Sequence, residues 1–361
     1  MARLVNPDPG FWRGRRVLVT GHSGFKGSWL SLWLARLGAL PLGLSLAAQD
    51  EAEAERLGFL AGRVTPLACD LRDAGATRSA LAELAPEIVL HLAAQPLVRR
   101  SYRDPRETFE TNVMGTLNLL EAVRAQPSVR CVLIATSDKC YENREWPWPY
   151  RETDPLGGHD PYSASKACTE IVVASWRASF AAMADRNIAI ATARAGNVIG
   201  GGDWAQDRLV PDAIRAFAQN RPVTVRSSGA TRPWQHVLDA LGGYLLLAER
   251  LHADAGRFAR AWNFGPDANA ERSVSDVLES LIQFWDESAS WNSAAPADLH
   301  EAHRLTLDSS RARQELGWRP RLDFAAALAL TAEWYRRHRL GTPAAELIAA
   351  DIDTYESRAF H

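Results

Sequence analysis

A chain of 361 residues, 47% hydrophobic and 23% charged, carries enough apolar content for a sizeable core and fits one large or two modest domains rather than a disordered segment. Its 41 basic and 43 acidic side chains leave a formal charge of -2, so no global field recruits nucleic acid or an anionic membrane. Four cysteines, Cys69, Cys131, Cys140 and Cys168, lack metal-ligand spacing and suit a reducing cytoplasm.

The segment up to Phe11 holds Asn, Asp and Pro where a secretory leader would carry its apolar stretch, so secretion is not expected. Arg16–Thr20 (RVLVT) reads as a first strand, followed by a helix from about Gly24 to Leu37 that stops at Gly38, a natural C-cap. The apolar run Trp29 to Ala48 is about long enough to span a bilayer. Arg36, Gly38 and Pro41 interrupt it, and a helix end followed by a buried strand over Leu40–Leu46 accounts for it better. Further strands are expected at Val64–Asp70, Glu87–Ala93 and Arg130–Ser137, with helices around Asp50–Gly58, Arg78–Leu84 and Glu107–Arg124. This alternation predicts an α/β protein with a doubly wound parallel sheet of the Rossmann type. Beyond about Ala195, GNVIGGGDWAQDRLVPD and RSSGATRPWQHVLD read as loops around a ligand, and a final helix covers about Asp323–Arg339. No internal repeat or heptad run suggests a solenoid or coiled coil.

Thr20-Gly21-His22-Ser23-Gly24-Phe25-Lys26-Gly27 stands where the first strand ends and a helix opens. Glycine there permits a tight turn and close approach of backbone to a pyrophosphate, while the helix N-terminus offers amide donors. The spacing is GxxGxxG rather than GxGxxG, and an ordinary strand-to-helix turn is the plain alternative. The flanking context favours cofactor binding by Gly21, His22, Gly24, Phe25, Lys26 and Gly27. After the third strand, Asp70-Leu71 places a carboxylate where it can accept from an adenine amino group, and Ala93 ends the fourth strand beside the cofactor path. An acidic partner for the ribose hydroxyls is expected about 20 residues past the cradle. The second strand ends Ser45-Leu46-Ala47-Ala48 instead, which leaves NAD and NADP both open from these residues alone.

Asp160-Pro161 precedes Tyr162-Ser163-Ala164-Ser165-Lys166, with Asp160 a candidate N-cap and Pro161 suited to the first helical turn. Tyr162 and Lys166 then share one helix face. A phenol with a reference pKa of about 10 is a poor base at neutral pH, but a neighbouring ammonium and a cationic nicotinamide ring favour the phenolate. In isolation the pair reads equally as a solvated helix face.

The glycine cradle, the YxxxK helix and Ser137 at the end of the preceding strand stand in the order and spacing of the extended short-chain dehydrogenase/reductase family. The chain resembles that family nearly end to end, through Leu316-Gly317-Trp318-Arg319-Pro320 and Trp334-Tyr335. Within it, GHSGFKGSWL, HLAAQPLVRRSY, ATSDKCYEN, NVIGGGDWAQDRLVPD and ATRPWQHVLD resemble the CDP-D-glucose 4,6-dehydratase subfamily. The resemblance implies NAD as cofactor, CDP-glucose as small-molecule substrate, and a 4-keto-6-deoxy product formed with loss of water and no net redox change. Tyr162 would take the 4-hydroxyl proton as hydride leaves C4, Lys166 would hold the ribose and lower the tyrosine pKa, and Ser137 would bond the same hydroxyl. Asp138 would protonate the departing C6 hydroxyl. Lys139 stands where the dTDP-glucose dehydratases carry glutamate and would serve as C5 base only when neutral, which requires burial or neighbouring cations such as Lys166. Pairing with Asp138 is its plain alternative.

Substrate contacts are expected from Arg208 and Arg232 as forked donors to a diphosphate, from Asn197, and from Trp204 or Trp234 against a ring. Gln95, Ser101 and Asn112 are placed near cofactor and sugar. For the arginines the plain alternative is a surface ion pair, and for most of the 13 tryptophans it is core packing. His300 and His303 lack a third ligand of suitable spacing, so no metal is expected. The implied division is an NAD-binding domain over residues 1–194 with part of 229–264, and a smaller interleaved C-terminal nucleotide-sugar domain over 195–228 and 265–361. A homodimer or homotetramer in the cytoplasm follows by resemblance, with no nucleic-acid or membrane partner. Two other readings remain: a nucleotide-sugar 4-epimerase of the same fold, which needs no acid–base pair at C5 and C6, and a catalytically silent NAD-binding protein.

Overall fold

The apolar runs of the first half become strands of one parallel sheet, as their alternation with helical segments requires. The computed structural model describes residues 5–180, 188–267, 271–285, 289–294 and 304–358. A short helix α1 (Pro9–Trp12) leads into β1 (Arg16–Thr20), α2 (Phe25–Arg36), β2 (Leu40–Ser45), α3 (Glu51–Leu60), β3 (Thr65–Ala68), α4 (Ala74–Leu84) and β4 (Ile88–His91). Helices α5 (Val98–Arg103), α6 (Pro105–Phe109) and α7 (Gly115–Ala125) precede β5 (Cys131–Ala135) and the long α8 (Pro161–Phe180). Then come β6 (Ala189–Ala195), β7 (Asn197–Ile199), α9 (Leu209–Ala218), β8 (Val223–Val225), β9 (Thr231–His236), α10 (Val237–Ala253), α11 (Ala255–Phe258) and β10 (Ala261–Phe264). The described chain closes with β11 (Glu271–Ser273), α12 (Val274–Trp285), β12 (Trp291–Ser293), α13 (Phe324–Arg339) and α14 (Ala344–Ser357).

The seven-stranded sheet runs β10-β6-β5-β4-β1-β2-β3, parallel throughout. Its central strands read as apolar runs because helices cover both faces; β4 is buried along its whole length. Winding proceeds outward from β1 through β2 to β3, then restarts at β4 and runs the other way. The reversal between β1 and β4 opens a crevice at their carboxyl ends, the place where such sheets take ligands. Among the described residues, β11-β9-β7 and β12-β8 form two small sheets beyond it. The run Trp29 to Ala48 is the buried half of α2 followed by β2, and no described helix is long and apolar enough to cross a membrane.

Several expectations are corrected. The two Gly-, Asp- and Arg-rich stretches beyond Ala195 are not loops throughout: β7, the start of α9, β9 and the start of α10 lie within them, because their apolar residues complete the small sheets and the core. The expected helix Glu107–Arg124 is broken by a π turn at Glu110–Met114. Asp323–Arg339 is not the last helix; α14 follows it and packs on α2 through Trp33 and Tyr355, rings 5.7 Å apart. Thus part of 265–361 lies against the main sheet's helices, and of 229–264 α10, α11 and β10 join that sheet's layers while β9 lies in the small one. His300 and His303 lie outside the described residues.

Helix α10 is apolar nearly all round and is buried between the layers, as that composition dictates. Asp239 in its first turn is fully buried; Oδ1 accepts from the Arg321 amide at 2.7 Å and the Tyr355 hydroxyl at 3.0 Å, while Oδ2 has no hydrogen-bond partner among the described residues. Burial pushes this carboxyl up to about 7, against the amides and hydroxyl that bond it. A folded-state value raised above the unfolded one means stability is greatest below about pH 4 and falls as pH rises toward about 7, by up to about 4 kcal/mol. Asp239→Asn should therefore raise the Tm at pH 8 and remove this part of the slope, while at pH 4 it should gain nothing. Melting curves of both proteins from pH 4 to 8 check it; a difference independent of pH would contradict the assignment.

Candidate active site

The cradle is built by β1 running out into Gly21, whose φ of +71° suits glycine. A Cβ at Gly21 would lie 2.9 Å from the Ala93 backbone, and one at Gly27 would lie 2.0 Å from the Gly21 carbonyl oxygen. Gly24 caps α2 without a side chain, so the first-turn amides keep their donors. Thr20 Oγ1 accepts from the Leu92 and Ala93 amides at 3.2 Å and meets His91 Nδ1 at 2.7 Å; His91 Nε2 meets Thr116 Oγ1 at 3.0 Å. These bonds clamp the carboxyl ends of β1 and β4 together, and burial together with the charge of Lys166 brings His91 down to about 3, leaving it neutral. His22 turns inward over Gly43, where a Cβ would lie 2.5 Å from its ring. Narrow walls, bare backbone and unspent amides fit the pyrophosphate of a dinucleotide.

Lys26 is more than a turn residue. Burial, then the charges of Arg208 and Lys166, bring it down to about 8, against the pull of Asp138 and Asp203. Asp70, at the far end, is forked by Arg72, with Nη2 to Oδ2 at 2.6 Å, and that bond holds its carboxyl below the usual range. Leu71 is buried and its carbonyl accepts from Asn118 at 2.8 Å.

Asp160 caps α8 as its position predicts, accepting from the Ser163 amide at 2.9 Å. Tyr162 and Lys166 then face β5, 8% and 5% exposed. The Tyr162 hydroxyl stands beside Ser137, whose side chain favours the phenolate. Lys166 Nζ donates to the Ala135 carbonyl at 3.4 Å, and burial brings it down to about 8 against the charge of Glu170. Burial pushes Tyr162 up to about 12, opposed by Ser137 and Arg208, so the phenolate needs the further positive charge that a bound nicotinamide ring would supply. A phenolate on a buried helix face loses more hydration than these neighbours replace.

Beyond β5 the chain makes a single tight turn over Asp138–Cys140. Ser137 Oγ donates to Asp138 Oδ1 at 3.0 Å and accepts from the Lys139 amide at 3.2 Å. Asp138 is 2% exposed, and its Oδ2, which faces Gly196 beside Asn197, has no hydrogen-bond partner among the described residues. Lys139 is half-buried beside it.

Arg208 reaches this cluster from the loop before α9, oriented by Asp203 at 2.7 Å. Asp203 was not singled out from the sequence; its only signal there was an acid shortly before a basic residue in a glycine-rich stretch. Arg232 lies on β9 and donates to the Thr231 carbonyl at 2.8 Å, one strand from Asn197. Both side chains are engaged: Asn112 Oδ1 accepts from the Gln95 backbone N–H at 2.8 Å and its Nδ2 donates to the Gln95 backbone carbonyl at 3.1 Å and Ser165 Oγ at 2.8 Å, while Gln95 Nε2 donates to Thr108 Oγ1 at 2.9 Å and Gln95 Oε1 accepts from the Leu97 amide at 2.7 Å. Expected at substrate, they instead tie the loop after β4 to α8, where Ser101 Oγ accepts from the Tyr162 amide at 3.1 Å. Trp204 packs on Tyr335 and Trp234 is 6% exposed, so both indoles are packed within the protein. No group of acids, histidines and cysteines able to hold a metal occurs among the described residues.

A glycine cradle at the switch point of a doubly wound sheet, with serine, tyrosine and lysine converging beside it, defines a dinucleotide-dependent enzyme of the short-chain dehydrogenase/reductase class. The family model for GDP-mannose 4,6 dehydratase matches residues 18–331, and the chain belongs to that family of nucleotide-sugar 4,6-dehydratases. It is 46% identical over 332 residues to the CDP-glucose 4,6-dehydratase of Salmonella typhimurium, covering 91% of this chain and 92% of that one. Among solved structures it resembles the dTDP-glucose 4,6-dehydratase of Streptomyces venezuelae with NAD bound, at TM-score 0.77 and 26% identity over 90% of this chain and 98% of that one. The UDP-glucose 4-epimerase of Thermus thermophilus in complex with NAD matches at TM-score 0.75 and 26% identity, covering 89% of this chain and 99% of that one.

Proposed function

We propose that the chain is an NAD-dependent CDP-D-glucose 4,6-dehydratase, forming CDP-4-keto-6-deoxy-D-glucose and water. The observation that carries this reading is Asp138, a buried acid beside Tyr162 with one oxygen tied to Ser137 and the other without a hydrogen-bond partner among the described residues. Epimerisation at C4 uses a tyrosine, lysine and serine but needs no acid at C6; elimination does. The cytidine preference is supported by the 46% identity with the Salmonella typhimurium enzyme.

The cradle from Gly21 to Gly27 would hold the pyrophosphate, with Lys166 on the nicotinamide ribose and Asp70 toward the adenine. NAD held there supplies a hydride acceptor at C4 and a hydride donor at C6. Tyr162 removes the 4-hydroxyl proton while Ser137 orients that oxygen. The resulting ketone acidifies C5, where Lys139 would take the proton and give one back as C6 receives hydride, and Asp138 in its acid form would deliver a proton to the C6 hydroxyl, which departs as water. Arg208 and Arg232 bind the diphosphate, and Asn197 a neighbouring oxygen. Four free thiols support a reducing cytoplasm, and exposed Met114 and Ile171, the latter on α8, support association of copies there.

Parallel incubation of the protein and NAD with CDP-glucose, dTDP-glucose and GDP-mannose tests the reading. CDP-glucose should turn over fastest, giving a product with enone-like absorbance in alkali; a C4 epimer, or no turnover at all, would overturn it. Lys139→Ala should slow exchange of solvent deuterium into C5 by about 10²-fold or more, the usual scale of a lost general base. Exchange at the wild-type rate would remove Lys139 from that role.

A further inference from the structure

Behind the site lies a buried ion pair that none of these steps uses. Glu170 and Arg194 keep 1% and 4% of their side chains exposed and meet at 2.7 Å. Such a pair is weak evidence for stability, because desolvation offsets its attraction, so what else it holds matters more. Glu170 stands one turn beyond Lys166 on α8 and accepts from Thr136 Oγ1 at 2.5 Å and Thr192 Oγ1 at 2.9 Å. Arg194 on β6 donates to the Tyr141 hydroxyl at 2.7 Å and the Glu152 carbonyl at 3.2 Å, its guanidinium 4.9 Å from the Tyr141 ring centroid. The Tyr141 hydroxyl in turn donates to Asn263 Oδ1 at 2.8 Å. Thr136 and Tyr141 bracket the turn that carries Ser137, Asp138 and Lys139. Both brackets are fastened to one pair, whose acid rides on the helix of Tyr162 and Lys166.

We propose that the Glu170–Arg194 pair is a positioning unit that locks the Ser137–Asp138–Lys139 turn to the Tyr162–Lys166 helix, with Glu170 also holding Lys166 as its ammonium. Both residues act through the groups they hold, since reacting atoms a fraction of an ångström out of place lose rate steeply. Burial opposes the charge of Glu170, and Arg194 with the two threonine hydroxyls overcomes it, keeping the carboxyl below its usual value. Arg177, farther along α8, faces the same carboxylate. Around Lys166 stand Glu170 on its own helix, Cys140 from the turn, Lys26 from α2 and His91 from β4; Glu170 is the group that most favours its charge.

The inference rests on the dehydratase reading only for the choice of assay, so kinetics use whichever of the three nucleotide sugars the wild type turns over best, with Tm and NAD affinity by tryptophan fluorescence measured alongside. Tyr141→Phe and Thr136→Val each release one bracket without unpairing a charge, and each should lower kcat about tenfold with KM and NAD affinity nearly unchanged. Glu170→Gln should move the alkaline limb of kcat about one pH unit lower and weaken NAD binding more at alkaline than at neutral pH, with Glu170→Asp restoring part of both. Wild-type kcat in both bracket variants would overturn the locking role whatever their Tm, and they decide it if Glu170→Gln fails to fold. An unshifted profile and pH-independent NAD binding in folded Glu170→Gln would overturn the charge-holding role. Were no nucleotide sugar a substrate, the dehydratase reading would fail, while NAD binding against pH would still judge Glu170.

Discussion

Tyr162→Phe is expected to lower turnover by about 10³-fold or more while the protein folds and binds NAD as before. The ring keeps its place on α8, since Asp160 and Ser101 fix the backbone there through the Ser163 and Tyr162 amides. Only the hydroxyl beside Ser137 is lost, so no cavity opens. With that oxygen gone, no group in its place can take the 4-hydroxyl proton as C4 is oxidised, and the elimination that needs the C4 ketone cannot begin. Product formation, Tm and NAD affinity separate this outcome from misfolding. In the wild type, deuterium placed at C4 of the sugar should appear at C6 of the product. Turnover surviving in the variant, or C4 label lost to solvent in the wild type, would refute the route.

Asp138→Asn should split the reaction rather than stop it. The amide is the same size and its oxygen can still accept from Ser137 Oγ, so Ser137 keeps its place beside Tyr162 and C4 oxidation survives. What disappears is a proton for the C6 hydroxyl, and water loss should fall by about 10²–10⁴-fold, the range of a general acid. In heavy water the recovered CDP-glucose should carry deuterium at C5, formed by reversible proton removal without elimination. Normal product formation would exclude Asp138 as the acid. Joint loss of exchange and turnover would mean that it positions the turn instead.

Much of the site was legible because its signals are local. Asp160-Pro161 announces the start of α8 and with it the shared face of Tyr162 and Lys166, and the cradle announces itself by glycines whose missing Cβ atoms the backbone requires. The rest was not local. Nothing near Gln95 or Asn112 in the chain shows that Asn112 is taken up by the Gln95 backbone and the Gln95 side chain by Leu97 and Thr108, since the π turn at Glu110–Met114 that aims Asn112 looks from its residues like ordinary helix. Asp203, Thr136 and Glu170 carry no motif, and their weight comes from partners brought in by other strands.

Taken by itself, the order of residues determined the winding of strand and helix, the place of the crevice and the identity of the serine, tyrosine and lysine, because apolar period, caps and glycine spacing act over a few residues. Folding alone decided that burial drives Tyr162 up to about 12, that Lys26 feels the charges of Arg208, Lys166 and Asp138, and that Glu170 and Arg194 meet behind the turn. Proton affinity depends on lost hydration and on charges a few ångströms away, and those neighbours come from strands and helices far apart in the chain.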